Sequence, residues 1–166
     1  MSSPPHERAT SPEDAVPWLD DDERDAWMAL AGLMVRLPAA LDRQLQTESN
    51  LSHFEYQVLA GLSDAPDRTL RMSALATLTE GQLPRLSQVA ARLEKRGWLT
   101  RQPDPADGRY TLATLTDEGM AYLVAAAPGH VRTVRRLVFD SLTTTQVRQL
   151  RDIGRSLGRA IADDDA

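Results

Sequence analysis

A mainly helical fold carrying one small β-hairpin is what this sequence predicts, and three observations predict it. Apolar residues recur at steps of three and four from about Asp21 to Gly97 and again after Thr116. Two capping boxes, Ser52-His53-Phe54-Glu55 and Thr143-Thr144-Thr145-Gln146, mark helix starts. Between Trp98 and Leu115 alone, the apolar period falls to two.

The elements follow in order. Residues 1–20 hold four prolines with Ser, Glu and Asp, a composition that cannot collapse by itself and reads as a disordered or loosely docked acidic arm. Trp27, Leu30, Met34, Leu37, Leu41 and Leu45 then make the stripe of a long first helix over 21–48, with a bend expected near Leu37 because Pro38 cannot donate to the helical ladder. Ser52 starts a second helix, carried by Phe54, Val58, Leu59 and Leu62 and stopped by Asp64-Ala65-Pro66-Asp67. A short third helix spans Met72 to Leu78. A fourth begins after Glu80-Gly81, tolerates Pro84 in its first turn, buries Leu83, Leu86, Val89, Ala90 and Leu93, and ends at Gly97 as a left-handed cap. Trp98–Arg101 and Tyr110–Leu115 read as strands, with a hairpin tip between them and its tight turn at Asp107-Gly108. Helix resumes after Thr116 over 117–162, with a break or kink expected at Pro128-Gly129, and an acidic tail closes at 163–166.

Composition bounds the chemistry. In 166 residues there is no cysteine, which excludes disulfides, thiolate metal sites, cysteine nucleophiles and self-oxidising thiol sensors. No run of 18 apolar residues is present to span a membrane, and the N-terminus lacks the basic start and apolar stretch of a secretory signal, so a cytoplasmic protein is expected. The net charge of −5 is segregated: residues 1–28 carry −6 and Asp163–Asp165 carry −3, leaving +4 on the body, with residues 68–109 themselves at +4. Local basic charge on an acidic chain suits a polyanion-binding face, although a merely solvated surface has the same arithmetic.

Two short helices joined by a tight turn and followed by a hairpin are laid out as a winged helix-turn-helix. The first residues of such a second helix meet base edges in a major groove. Here those residues are Gln82, Leu83, Arg85 and Gln88, with Ser87 and Arg92 placed for phosphates. Arg pairs bidentately with guanine and Gln with adenine. At the tip, Gly108 and Arg109 offer little bulk and one guanidinium to a minor groove. A solvated amphipathic helix would show the same spacing; the hairpin with its tip arginine favours DNA.

The run Met72 to Gly119 resembles the MarR family of bacterial transcriptional regulators. The matching features are Leu75-Ala76, Arg85-Leu86-Ser87, Arg92-Leu93-Glu94-Lys95-Arg96-Gly97-Trp98, Asp104-Pro105-Ala106-Asp107-Gly108-Arg109 and Leu115-Thr116-Asp117-Glu118-Gly119. The resemblance implies a homodimeric DNA-binding regulator, usually a repressor, often released from its operator by a small molecule. It implies that Arg109 contacts DNA and that Asp107 holds it. Leu83 and Pro84 depart from the small polar residues usual at the start of the recognition helix, which points Leu83 toward an apolar contact such as a thymine methyl.

Residues 52–116 are then the DNA-binding part, and residues 21–48 and 117–162 the dimerisation helices. Their apolar stripes exceed what a small winged domain can cover, so a second copy is the expected partner, with double-stranded operator DNA the other. His6, His53 and His130 share no metal-ligand spacing, and no nucleophile elbow or phosphate loop occurs, so no metal, cofactor or enzymatic activity is expected. Candidate effector-pocket residues are Trp27, Met34, Phe54 and Trp98, with Arg43 or His53 as polar partners. The competing reading is a helical protein-interaction module whose winged domain no longer binds DNA.

Overall fold

The structure, a computed structural model, describes residues 16–164, so most of the expected acidic arm, with His6, and the last two residues of the tail lie outside the described residues. The helices are α1 (Asp21–Ser49), α2 (His53–Ser63), α3 (Met72–Leu78), α4 (Leu83–Lys95), α5 (Asp117–Val134) and α6 (Thr144–Asp164). Three strands, β1 (Thr69–Arg71), β2 (Leu99–Asp104) and β3 (Asp107–Leu115), form one antiparallel sheet in the order β1-β3-β2. The chain divides into two compact units, one up to Arg36 and one from Leu37 onward.

In the first unit, α1 opens with a reciprocal cap. Asp20 Oδ1 accepts the Glu23 amide at 2.8 Å, and Glu23 Oε2 accepts the Asp20 amide at 2.9 Å. The acidic run thus satisfies orphan amides at the positive end of the helix. Trp27, Met28, Met34 and Val35 are each more than half exposed. The helix is continuous through Pro38.

The second unit holds the core. Leu45, Leu51, Val58, Leu59, Leu62, Leu75, Leu86 and Leu93 are sealed from solvent in one cluster joined by Leu99, Ala113 and Leu115 of the sheet. The capping box at Ser52 forms as written: Ser52 Oγ accepts the Glu55 amide at 3.1 Å and Glu55 Oε2 accepts the Ser52 amide at 2.8 Å. α6 differs from every other long helix of this unit in burying none of its residues, and Leu150, Ile153, Leu157 and Ile161 stand exposed along it. Among the described residues no helix is long and apolar enough to cross a membrane.

Four expectations need correction. The sheet has a third strand, β1, whose three residues are too few to show a period. The turn of the hairpin is Pro105-Ala106, not Asp107-Gly108, which already belongs to β3. Asp104 accepts the Ala106 amide at 2.9 Å, and Asp followed by Pro is the preferred opening of a type I turn, so this signal prevails over the Asp-Gly pair. α5 does not break at Pro128. Pro128 and Val124, whose carbonyl loses its helical partner, both lie on the exposed side, where the freed oxygen is open to solvent. The departure from α geometry comes later, in a π-helical turn at Arg135–Phe139. Finally, α6 runs through Asp164 instead of giving way to a tail at 163.

Candidate nucleic-acid interface

The joint between α3 and α4 is built from short-range constraints. Thr79 Oγ1 donates to the Leu75 carbonyl at 2.8 Å, Glu80 takes a positive φ of 48°, and the Gly81 amide donates to the Ala76 carbonyl at 2.9 Å. A Cβ on Gly81 would lie 2.6 Å from Phe54 Cζ, so the ring of α2 sets how closely the turn packs. α4 then buries Leu86, Val89, Ala90 and Leu93 and leaves Gln82, Leu83, Arg85 and Gln88 exposed. Leu83, expected on the inner face as well as among the reading residues, is 46% exposed and belongs to the outer set. Gly97, at φ 75°, ends the helix as expected.

The sheet presents the wing. Beyond the pair Pro103↔Thr111 the register of β2 and β3 shifts to Asp104↔Asp107, so Gly108, Arg109 and Tyr110 bulge without cross-strand partners. Asp107 grips Arg109 as a fork, with Nε at 3.0 Å from Oδ1 and Nη2 at 2.6 Å from Oδ2. The Arg109 guanidinium beside it holds the Asp107 carboxyl below its usual range. Arg109 remains 84% exposed. The wing is tied to α4 by Arg101, whose Nη2 and Nε lie 2.8 and 3.1 Å from Glu94 Oε2 and whose amide donates to Oε1 at 3.1 Å. These bonds hold the Glu94 carboxyl low as well.

A groove of about 210 Å³ runs between α4 and the wing, lined by Leu83 and Ser87 on one side and Arg109, Tyr110 and Thr111 on the other, with Arg71 and Arg101 at its edge. Of the expected residues, the structure therefore brings Leu83, Ser87 and Arg109 together. Arg85 lies over the Phe54 ring at 4.4 Å, and Arg92 Nε sits 3.3 Å from the buried Glu55 carboxylate. Burial pushes the Glu55 carboxyl up, but Ser52, Arg92 and Arg96 together outweigh it and hold it below the usual range. Sequence reasoning missed Arg71, Arg101 and Tyr110. Arg101 was read only as a strand residue, and nothing local links Arg71 to the wing.

Of the six residues grouped as an effector pocket, the four in the second unit are not gathered into one. Trp27 and Met34 are exposed side chains of the first unit. Phe54 is buried under Arg85, and Trp98 stacks on Tyr122 at 3.9 Å. Arg43 borders a cleft with Glu48 and Arg136. His53 borders another, of about 400 Å³, with Tyr56, Gln57, Asp64 and His130. Two histidines scattered in sequence thus meet in space, their rings 5.8 Å apart, with Tyr56 4.3 Å from His130. Among the described residues no three ligating side chains converge as a metal site would require.

Burial lowers the pKa of both imidazoles; His53 adds to the effect at His130, while Asp42 partly opposes it at His53. A depressed histidine stays neutral in the fold at a pH where the unfolded chain already takes up a proton, so its penalty is absent above the ordinary value of 6.5, grows as pH falls from there toward the lowered folded value, and levels off below it. The melting temperature should therefore drop as pH falls from 6.5, and His53→Gln/His130→Gln should flatten that drop. A double variant with the same acid limb as the parent would show that other groups carry it.

A family profile described as the MarR family matches residues 49–109. The chain is similar to Sco3205, a MarR family transcriptional regulator from Streptomyces coelicolor solved in complex with DNA, at 41% identity and a TM-score of 0.84, covering 89% of this chain and 92% of that one. It is similar also to AbsC, a MarR family regulator from the same organism, at 30% identity and a TM-score of 0.83, covering 89% and 99%. Transcriptional regulator HosA of Escherichia coli O111:H- is 34% identical over 79 residues, which are 48% of this chain and 57% of HosA. The chain thus spans little more than half the length of the curated relatives it matches.

Proposed function

The chain belongs to the MarR family, and from that premise we propose that it is a sequence-specific DNA-binding transcriptional regulator acting as a homodimer on a pseudo-palindromic operator. One observation carries the reading: the exposed first turn of α4 and the fork-held Arg109 border the same groove. A helix of this diameter enters a major groove while the arginine reaches the adjacent minor groove. Sco3205, solved in complex with DNA, supports the DNA-binding role.

Dimerisation is supported by α6, which buries nothing within its own chain, and by the exposed apolar residues of α1. Apolar faces of this length are costly to leave in water, and a second copy covers both with the same patches. The two recognition helices then read half-sites about 10 bp apart. The protein is a non-enzymatic, cytoplasmic repressor in this reading. The cleft beside His53, Tyr56 and His130 suits a non-covalent effector, the absence of cysteine leaving no thiol to oxidise.

Selection of bound genomic fragments, followed by titration against salt, tests the proposal. Counterion release requires log K to fall steeply with log salt. A flat dependence would favour a protein-interaction module instead. Within the interface, Arg85→Ala should relax base preference at one position and weaken binding by about 1–3 kcal/mol, as loss of a reading contact does. Arg92→Ala should weaken all sequences alike and also lower the melting temperature, because it strips the buried Glu55 of its partner. Uniform loss from both variants would show that Arg85 reads nothing.

A further inference from the structure

The last β1 residue reaches further than its strand does. Arg71 pairs with Leu112 of β3, and outward of that pair the wing is held by β2 alone. Outward of Thr111 even this ladder lapses until Asp104 meets Asp107 across the turn. Arg109 sits in that unsupported stretch. Its fork with Asp107 is exposed, and an exposed pair contributes little to holding a backbone in place.

Arg71 spans the gap. Its Nε and Nη2 both lie 2.7 Å from Asp104 Oδ2, in a carboxylate only 8% exposed that also accepts the Ala106 amide. Its guanidinium lies 4.4 Å over the ring of Tyr110, the neighbour of Arg109. Arg71 therefore holds the bulge at both ends, through Asp104 on the turn and through Tyr110 on β3. Its charge also acts on Asp107 itself, after the larger effect of Arg109. Without it, a nearly buried carboxylate would face Asp107 across the turn, and like charges directly opposite each other push a hairpin apart.

We propose that Arg71 is a positioning residue of the DNA interface, clamping Asp104 and Tyr110 so that the wing presents Arg109 in one place. The proposal rests on the DNA-binding reading above, and two measurements separate them. In the free protein, amide exchange over residues 106–110 should speed up in Arg71→Gln and in Asp104→Asn while exchange in the core leucines stays unchanged. Unchanged exchange at the tip would overturn the clamp whether or not the protein binds DNA, as would a general rise that marks an unfolding variant.

The second measurement is affinity for a fragment selected by the parent protein. Arg71→Gln should bind about tenfold more weakly, the worth of one charge-assisted contact. In an Arg109→Ala background the same substitution should change affinity less than about twofold, since a residue acting through Arg109 has nothing left to position. Hydroxyl-radical protection in the minor groove under the wing should fade while guanine protection under α4 persists. An equal loss with and without Arg109 would mean that Arg71 touches DNA itself, and the positioning role would be wrong. A parent protein that selects no DNA would sink the DNA-binding reading, leaving the exchange experiment to decide the clamp alone.

Discussion

Arg109→Ala should weaken operator binding about hundredfold in the dimer, since two guanidiniums are lost at about 1–3 kcal/mol each. The size follows from geometry. Arg109 projects from a bulge with no ladder partners and is 84% exposed; its guanidinium is turned by two bonds to Asp107 and its backbone is held by Arg71, so part of its ordering precedes binding. A preoriented cation meeting the negative potential of a narrow minor groove gains more than a free one. The salt slope should shrink by about two, one per wing. Arg109→Lys keeps the charge but loses the fork with Asp107, and should fall between the parent and the alanine variant. A slope and affinity unchanged in Arg109→Ala would place the wing outside the interface.

Gly119→Ala should destabilise the protein by about 3 kcal/mol or more, a lowering of melting temperature of about 6–12 °C for a chain of this size. Gly119 lies in the first turn of α5, where the Thr116 hydroxyl accepts its amide at 3.0 Å and donates to the Gly97 carbonyl at 2.7 Å. The Thr116 amide donates to the Trp98 carbonyl at 3.1 Å. A Cβ on Gly119 would fall on that same carbonyl oxygen and within 2.8 Å of Leu115 Cδ1. The first obstacle is backbone and cannot rotate away, so the start of α5, the end of β3 and the cap of α4 would have to separate. Gly108→Ala is the control, because its Cβ would meet nothing within 4 Å. Equal melting temperatures for the two variants would show that the joint yields more easily than these contacts imply.

What could be read from the sequence was what short-range physics determines. The capping box at Ser52, the buried stripe of α4 and the left-handed Gly97 each depend on residues within four positions, and each is present in the structure. The Asp107–Arg109 fork spans two residues and was accessible through the family's wing motif. Long-range pairings were not legible. Arg71 and Asp104 are 33 residues apart, Glu55 and Arg92 are 37, and nothing in either segment announces the other. His53 and His130 looked scattered because α2 and α5 are distant in the chain and adjacent in the fold. The misplaced hairpin tip has a different origin. Two turn signals compete within five residues there, and the winner is decided by an aspartate that both caps the turn and pairs with Arg71.

β3 ends at Leu115 and α5 begins at Asp117, so Thr116 alone stands between sheet and helix, and its bonds to Gly97 and Trp98 rivet that one residue to the end of α4. Such a joint has no slack. The wing and the helix behind it turn together, as a crank turns with its shaft, and the recognition helix is fixed to the same pivot. In the proposed homodimer no floppy tether would then separate α5 from the recognition helix of the same protomer. In the proposed reading, a shift of α5 would therefore carry the wing and the recognition helix of its own protomer with it.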